Sequence, residues 1–308
     1  MPVPVIIDCD PGHDDVFAIW LAAGSPGLDV RAITTVAGNV DVEQTTLNAL
    51  AACSVAGIDV PVARGADRPR VREPFRAADV HGPNGLGGIE RPAVTVPLDD
   101  RSALDLIDAV LTDSSEPVSI VALGPLTNIA ALVASRPHLQ PSIERVVWMG
   151  GSTERGNSTP YAEFNAFSDP HAADVVLRSG VPFTMVGLNV THQTAVDDDL
   201  FARLVAIDTD SARFGVRLLI ELREAFQTLY GRNPPIHDAV AMAVALEPGI
   251  VTSTRTRVDV ELEGTQTLGA TSVDLHDRLH REANADVALR LDVDRFWDVL
   301  VAALAALR

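Results

Sequence analysis

Residues Asp8–Asp15 read DCDPGHDD, four carboxylates in eight positions, directly behind the apolar run VPVII of residues 3–7. The run is short and rich in Val and Ile, which fits a buried strand. The stretch DDVFAIWLAA, from about Asp14 to Ala23, fits a helix, and Pro11-Gly12 marks the turn between them. The carboxylates therefore straddle a strand-to-helix junction. In open parallel sheets ligands bind beyond the carboxyl ends of the strands, at this kind of junction.

Charges so close need an explanation. Two carboxylates about 4 Å apart repel by about 1 kcal/mol in water and by about 4 kcal/mol at an effective dielectric near 20. The helix N-terminus offsets about 0.3–1 kcal/mol for a nearby anion, too little for four. A lone Asp before a helix is ordinarily a cap, but one helix start does not need four. The economical remedy is a hard divalent cation with oxygen ligands, Ca²⁺ or Mg²⁺ rather than zinc. The stretch is not an EF-hand loop, because Gly12 and His13 stand where a ligand and the obligatory Gly would be.

Outward from this junction the chain alternates short β-rich runs with helical patterns. VRAITTVAG precedes a helix, VEQTTLNALAACSVA, closed by Gly57. PVSIVAL precedes the helix PLTNIAALVAS, with Pro125 at its first position. ERVVWMGG, the helix DPHAADVVLRSG closed by Gly180, and PFTMVG follow. The pattern predicts an α/β fold, Rossmann-like, with a mainly parallel central sheet and helices on both faces. Residues 64–92, rich in Gly, Pro and Arg, read as a long surface loop and a candidate lid. Residues 197–230 read as helical, RTRVDVELEG and TSVDL as a small antiparallel addition near the C-terminus, and DRFWDVLVAALAAL as a closing helix. With no repeat and no linker, residues 1–308 are expected to form a single domain.

Composition narrows the partners. The 308 residues are 47% hydrophobic, enough for a large core, and carry a formal charge of −18 with a pI near 4.7. Nucleic acid and anionic membrane surfaces are excluded as partners on charge. All 24 basic side chains are Arg, so lysine Schiff-base, pyridoxal-lysine and Gly-Lys-Ser/Thr phosphate-loop chemistry are excluded. Cys9 and Cys53 suggest neither a zinc site nor a disulfide framework. The first residues lack a basic, then apolar, leader, and no apolar run spans a membrane; a cytoplasmic protein is expected.

Polar residues gather at other strand ends: Asn39, the Leu123-Gly124 turn, Met149 with the loop GGSTERGNSTPYAEFN, and Asn189 with His192. PPIHDAVAMA sets His237 and Asp238 at the start of an apolar helix. YAEFNAFSDP carries Glu163 and Asn165, which in an extended loop would face one side and suit polyol hydroxyls.

Taken together these segments resemble the inosine–uridine-preferring nucleoside hydrolase family. DCDPGHDD is similar to its Asp-x-Asp-Pro-Gly-x-Asp-Asp fingerprint, and TTVAGNV, HGPNGLGG, ALGPLTNIA, VVWMGG, GNSTPYAEFNAFSDPHAA and PPIHDAVAMA follow in family order. The resemblance implies cleavage of the N-glycosidic bond of ribonucleosides to ribose and free base, with one Ca²⁺. It implies calcium ligation by Asp10, Asp15, Asp238 and the main-chain carbonyl of Leu123. Asp14 and Asn39 look like ligands of the ribose 2′- and 3′-hydroxyls. Asn157, Glu163 and Asn165 look like 3′- and 5′-hydroxyl binders, with Met149 against the sugar and Asp8 ordering the group from behind. Asp10 is then the general base, and His81 and His237 are base-side residues, His237 protonating the departing base. The family reads the base with the segment LREAFQTLYGRN, where Phe226, Gln227 and Tyr230 are candidates. A homodimer or homotetramer is implied as well. Two departures stand out. Cys9 replaces a usual Thr and is expected to pack; His13 replaces an apolar residue and is expected near solvent or a subunit contact, without a role. Two alternatives remain at this point: a Mg²⁺-dependent phosphohydrolase of the haloacid dehalogenase type, and a non-catalytic calcium-dependent ribose or nucleoside binder.

Overall fold

The computed structural model describes residues 1–307. β1 (Val3–Cys9) leads into α1 (His13–Gly24), β2 (Leu28–Thr35), α2 (Val42–Ala56) and β3 (Val62–Arg64). Then come α3 (Ala78–His81), α4 (Ala103–Asp113), β4 (Val118–Ala122), α5 (Thr127–Ser135), β5 (Ile143–Met149), α6 (Phe164–Ser168), α7 (Pro170–Arg178) and β6 (Phe183–Val186). The last part holds α8 (Leu188–Thr191), α9 (Asp198–Val205), α10 (Asp210–Tyr230), α11 (Asp238–Leu246), β7 (Val251–Thr256), β8 (Val258–Val260), β9 (Thr271–Val273), β10 (Ala285–Leu291) and α12 (Val293–Ala306). Among the described residues no helix is long and apolar enough to cross a membrane.

One sheet of eight strands runs β3-β2-β1-β4-β5-β6-β10-β7, parallel except for β7 against β10; β8 and β9 form a separate antiparallel pair. The chain winds outward from β1 through β2 to β3, then returns to lay β4 on the other side of β1. The order reverses between β1 and β4, so the crevice there is the topological switch point. Asp8 pairs with Thr34 on one side and Ala122 on the other, which sets DCDPGHDD at that crevice.

β1 is covered on both faces, as a central parallel strand must be. Val5, Ile7 and Cys9 point into one core layer with Trp20 of α1, and Ile6 into the other with Trp148. Cys9 packs, as expected from strand alternation, with its thiol at 3.5 Å from the Thr34 carbonyl. Burial pushes that thiol well above its ordinary value and pushes Cys53 up to about 12, so both are inert packing groups.

Several expectations need correction. Pro125 is not the first residue of α5; the helix starts at Thr127, whose N–H donates to the Pro125 carbonyl. Gly124, just before Pro125, passes so close to the Asp10 carboxylate that a Cβ would run into Oδ1. Residues 64–92 are not simply a surface loop: Arg64 ends β3, Ala78–His81 make a helical turn, and His81, Leu86 and Ile89 are buried. Asn48 anchors this segment, donating to the carbonyls of Pro11 and Asn84. The small antiparallel addition is present as expected, β8 within RTRVDVELEG pairing with β9 within TSVDL; what the sequence did not show is β10 and, antiparallel to it, β7 at the edge of the main sheet.

Candidate active site

A cleft of about 610 Å³ opens over the carboxyl ends of β1, β4 and β5. Asp10, Asp14, Asn39, His81, Leu123, Met149, Asn157, Glu163, Asn165, Phe226, Tyr230, His237 and Asp238 all line it. Asp15 lies behind the lining, fully buried. Gln227 is exposed and turns to Asn233 at 3.2 Å rather than into the cleft.

Asp15 is the anchor of the first turn. Its carboxylate accepts from the main-chain N–H of Gly12 at 2.9 Å and of Asp10 at 3.1 Å, so the N3 residue of α1 satisfies the N–H of its N-cap glycine. Asp10 comes next. Its Oδ2 accepts from the Asn39 N–H at 2.7 Å, while Oδ1 has no protein partner and is not sealed off. The Asn39 amide donates to the Asp10 carbonyl at 3.1 Å and toward Asp15 at 3.5 Å, so its NH₂ is spent on ordering these two residues. Asp14 Oδ2 accepts from the N–H of His237, which joins the first motif to the last, 223 residues on.

Oxygen atoms of Asp14, Asp15 and Asp238 lie within 4.8 Å of one another, all buried. Asp10, expected among the ligands, is not in this tightest group; Asp14, expected at the sugar, is. Burial, then mutual repulsion, pushes Asp10 and Asp238 well above the ordinary carboxylate range and Asp15 up to about 6. A buried all-oxygen set that must otherwise hold extra protons fits a hard cation of the calcium class and offers nothing to a soft one.

Asp8 turns away from this group. Its Oδ1 accepts from Thr34 Oγ1 at 2.6 Å and Asn128 Nδ2 at 2.8 Å, tying β1 to β2 and α5; its Oδ2 is buried without a partner. Burial raises its carboxyl to about 6.

The opposite wall differs from the sequence expectation in one respect. Glu163 and Asn165 do not sit in an extended loop. Glu163 caps α6, accepting from the N–H groups of Asn165, Ala166 and, at 2.8 Å, Gly151. Three backbone donors hold it in place, yet burial still raises it to about 7. Asn165 Nδ2 donates to the carbonyls of Leu123 at 2.7 Å and Met149 at 2.9 Å, pinning the ends of β4 and β5 together. Asn157 Oδ1 accepts from the Phe164 N–H.

His237 is held by Thr191, Oγ1 to Nδ1 at 2.7 Å, with the His192 ring 5.6 Å away. Burial lowers His237, and it lowers His192 to about 4 with help from His237, Arg232 and Arg155. His13 is not near solvent: it is fully buried against His81. Sequence reasoning missed Phe75, Arg76, Arg155, Phe164 and Arg232 in the lining. Arg155 and Phe164 lie beside Asn157 and Glu163, a nearness that could have flagged them; Phe75 and Arg76 carried no signal.

The family model described as "Inosine-uridine preferring nucleoside hydrolase" matches residues 5–298. The chain is 42% identical to the pyrimidine-specific ribonucleoside hydrolase RihA of Photobacterium profundum, over 99% of each sequence. It is 38% identical to the inosine-uridine preferring nucleoside hydrolase of Crithidia fasciculata, over 99% of this chain and 98% of that one. Among solved structures, a purine-preferring ribonucleoside hydrolase from Gardnerella vaginalis superposes with a TM-score of 0.91 at 33% identity, covering 98% of each chain. Likeness of that extent, reaching from the β1 carboxylates through Asp238, means that the chain belongs to the inosine-uridine preferring nucleoside hydrolase family and is a ribonucleoside hydrolase.

Proposed function

We propose that the chain hydrolyses the N-glycosidic bond of ribonucleosides with Asp10 as general base and calcium as resident cofactor, in the service of nucleoside catabolism. The observation that carries this reading is the free Oδ1 of Asp10, facing the cleft beside three buried carboxylates that lack a counter-charge. Asp10, Asp15, Asp238 and the Leu123 carbonyl would hold the ion, with Asp14 next to it. Bound there, calcium supplies a positive centre that fixes the sugar diol and lowers the carboxylates' need for protons.

The side chains then divide the work. Asp14 and the amide oxygen of Asn39, whose NH₂ is already engaged, take the 2′- and 3′-hydroxyls; Asn165, Glu163 and Asn157 take the 3′ and 5′ side. Glu163 retains accepting capacity after its three backbone bonds, since a carboxylate offers about four lone-pair sites. Asp10 Oδ1 removes the proton of the water that attacks C1′. The glycosidic electron pair leaves with the base, and the neighbouring carboxylates stabilise the positive charge that develops on the sugar. His237, oriented by Thr191, delivers a proton to the departing base. Base choice falls to Phe226, Tyr230 and their neighbours, because relatives named for pyrimidine and for purine preference share the architecture.

The phosphohydrolase alternative falls to the family assignment, and this chain has no lysine for that chemistry. A panel of purine and pyrimidine ribonucleosides tests the proposal. Free base and ribose are expected, with activity abolished by a strong calcium chelator, restored by calcium, and cut about 10²–10⁴-fold in Asp10→Asn. Tight ribose binding without turnover on any nucleoside would instead favour a non-catalytic binder. Assembly as a homodimer or homotetramer belongs to the same reading, and a sedimentation profile containing only monomer would count against it.

A further inference from the structure

His13 sits in the first turn of α1, 0% exposed, with its ring centroid 5.1 Å from that of His81. The two Nδ1 atoms are 3.0 Å apart, so one carries a proton and the other a lone pair. The main-chain N–H of His13 decides between them, because it also points at His81 Nδ1, from 3.3 Å. An atom facing a backbone N–H is the acceptor. The proton between the rings therefore belongs to His13, and His81 presents its Nδ1 lone pair to both donors. A second proton at that nitrogen would collide with two N–H groups. His81 is left neutral, with its proton on Nε2.

That Nε2–H has no protein partner and is not sealed in, and His81 lines the cleft. His13 Nε2, by contrast, is a buried lone pair with no partner. A hydrocarbon side chain would fill the same space without that penalty, which argues that the imidazole serves more than packing. The glycines of this region make room for the pair. A Cβ on Gly12 would lie 2.5 Å from His81 Nδ1, and one on Gly87 3.0 Å from His13 Nε2.

We propose that His13 is a positioning residue that locks His81 in its Nε2–H tautomer, so that His81 meets the substrate as a fixed, neutral hydrogen-bond donor. The acceptor it serves is a carbonyl oxygen or ring nitrogen of the departing base, whose electron density rises as the glycosidic bond breaks. This assignment of the acceptor rests on the hydrolase reading; the tautomer does not.

The test pairs a spectrum with kinetics. Long-range ¹H–¹⁵N correlation of the imidazoles should find His81 with Nε2 protonated and Nδ1 bare in the wild-type protein. His13→Leu removes the closer donor and leaves only the main-chain N–H at 3.3 Å, so it should give a mixed signature, and His13→Asn, whose amide can donate to the same atom, should keep Nε2–H. On a cleaved nucleoside, His13→Leu should lower kcat about tenfold with little change in KM, the size of one lost hydrogen bond, and His13→Asn should recover part of it. A wild-type His81 protonated at Nδ1 overturns the proposal, as does a His13→Leu protein with unaltered tautomer and kcat. If no nucleoside is cleaved by the wild-type protein, the hydrolase reading fails, while the spectra still decide what His13 does to His81.

Discussion

Asp10 and His237 pose opposite problems of proton supply. Burial and neighbouring carboxylates make Asp10 reluctant to lose its proton, and burial makes His237 reluctant to gain one. A base is useful only when deprotonated and an acid only when protonated, so the cation and the substrate must correct at least one of them. His237 has Asp14 at its own backbone N–H, and that carboxylate works against desolvation by raising the imidazole. A natural nucleoside needs a proton on its leaving base, whereas an aryl riboside with an acidic phenol does not. His237→Ala is therefore expected to cost about 10²–10⁴ in kcat on natural nucleosides and much less on a nitrophenyl riboside. Equal losses on the two substrates would remove His237 from the acid role. The crowding in DCDPGHDD was legible from residue types alone, whereas the part given to PPIHD came only from the family resemblance; the structure does bring the two together, through the His237 N–H on Asp14. The partner of His13 was not, because nothing in the sequence says that a histidine 68 positions away folds onto it. For Glu163 the sequence suggested a sugar contact from its polarity, but not its three backbone bonds, two of which come from the start of α6 and the third from Gly151 after β5.

At the scale of elements, the site depends on how closely three strand ends approach. Gly38 follows β2 and Gly124 follows β4, and both press on the Asp10 carboxylate. A Cβ would overlap Oδ2 in the first case and Oδ1 in the second. Neither glycine has a positive φ, so the need is for space and not for backbone freedom. Gly124→Ala is expected to push Asp10 off its Asn39 bond, costing about 1–3 kcal/mol of stability by overpacking together with a large loss of kcat. Thermal unfolding and steady-state kinetics measure the two, and a fully active, equally stable variant would show that Asp10 has room to move. The same scale explains where sequence reading failed. β10 carries Asp286 and Arg290 amid its apolar residues, and the charges mask a strand that enters the sheet beside β6. Its strand character is decided by two neighbours, β6 more than 90 residues earlier and the antiparallel β7, and periodicity alone cannot see either. α4 went unread, although Ser102 caps it by accepting from the Asp105 N–H.

For the whole molecule, the eight-stranded sheet carries strands from both chain ends, with β1 in its interior and β10 next to one edge. We read residues 1–308 as one folding unit on that basis, and a single unfolding transition seen alike by fluorescence and far-UV circular dichroism is expected; two separated transitions would divide the chain. Stability should also depend on pH in an unusual direction. Folding raises Asp8 and Asp15 from 3.8 to about 6 and Glu163 from 4.5 to about 7, and burial among other carboxylates raises Asp10 and Asp238 as well. Between the unfolded and folded values the native state holds more protons than the unfolded chain, so unfolding free energy falls as pH rises. The contribution is fully present below about pH 4 and is lost as pH climbs through about 6 to 7. Above that range the metal-free protein carries buried carboxylates without protons to relieve them. On the proposed reading a divalent cation would replace those protons at Asp10, Asp15 and Asp238, and its affinity would grow as they leave. The gap in melting temperature between calcium-loaded and chelator-treated protein should therefore widen from pH 5.5 to pH 8, with the chelated form falling over that interval. A gap that stays constant or narrows would mean that the carboxylates shed their protons without needing the ion, and the counter-charge argument from DCDPGHDD would fail with it.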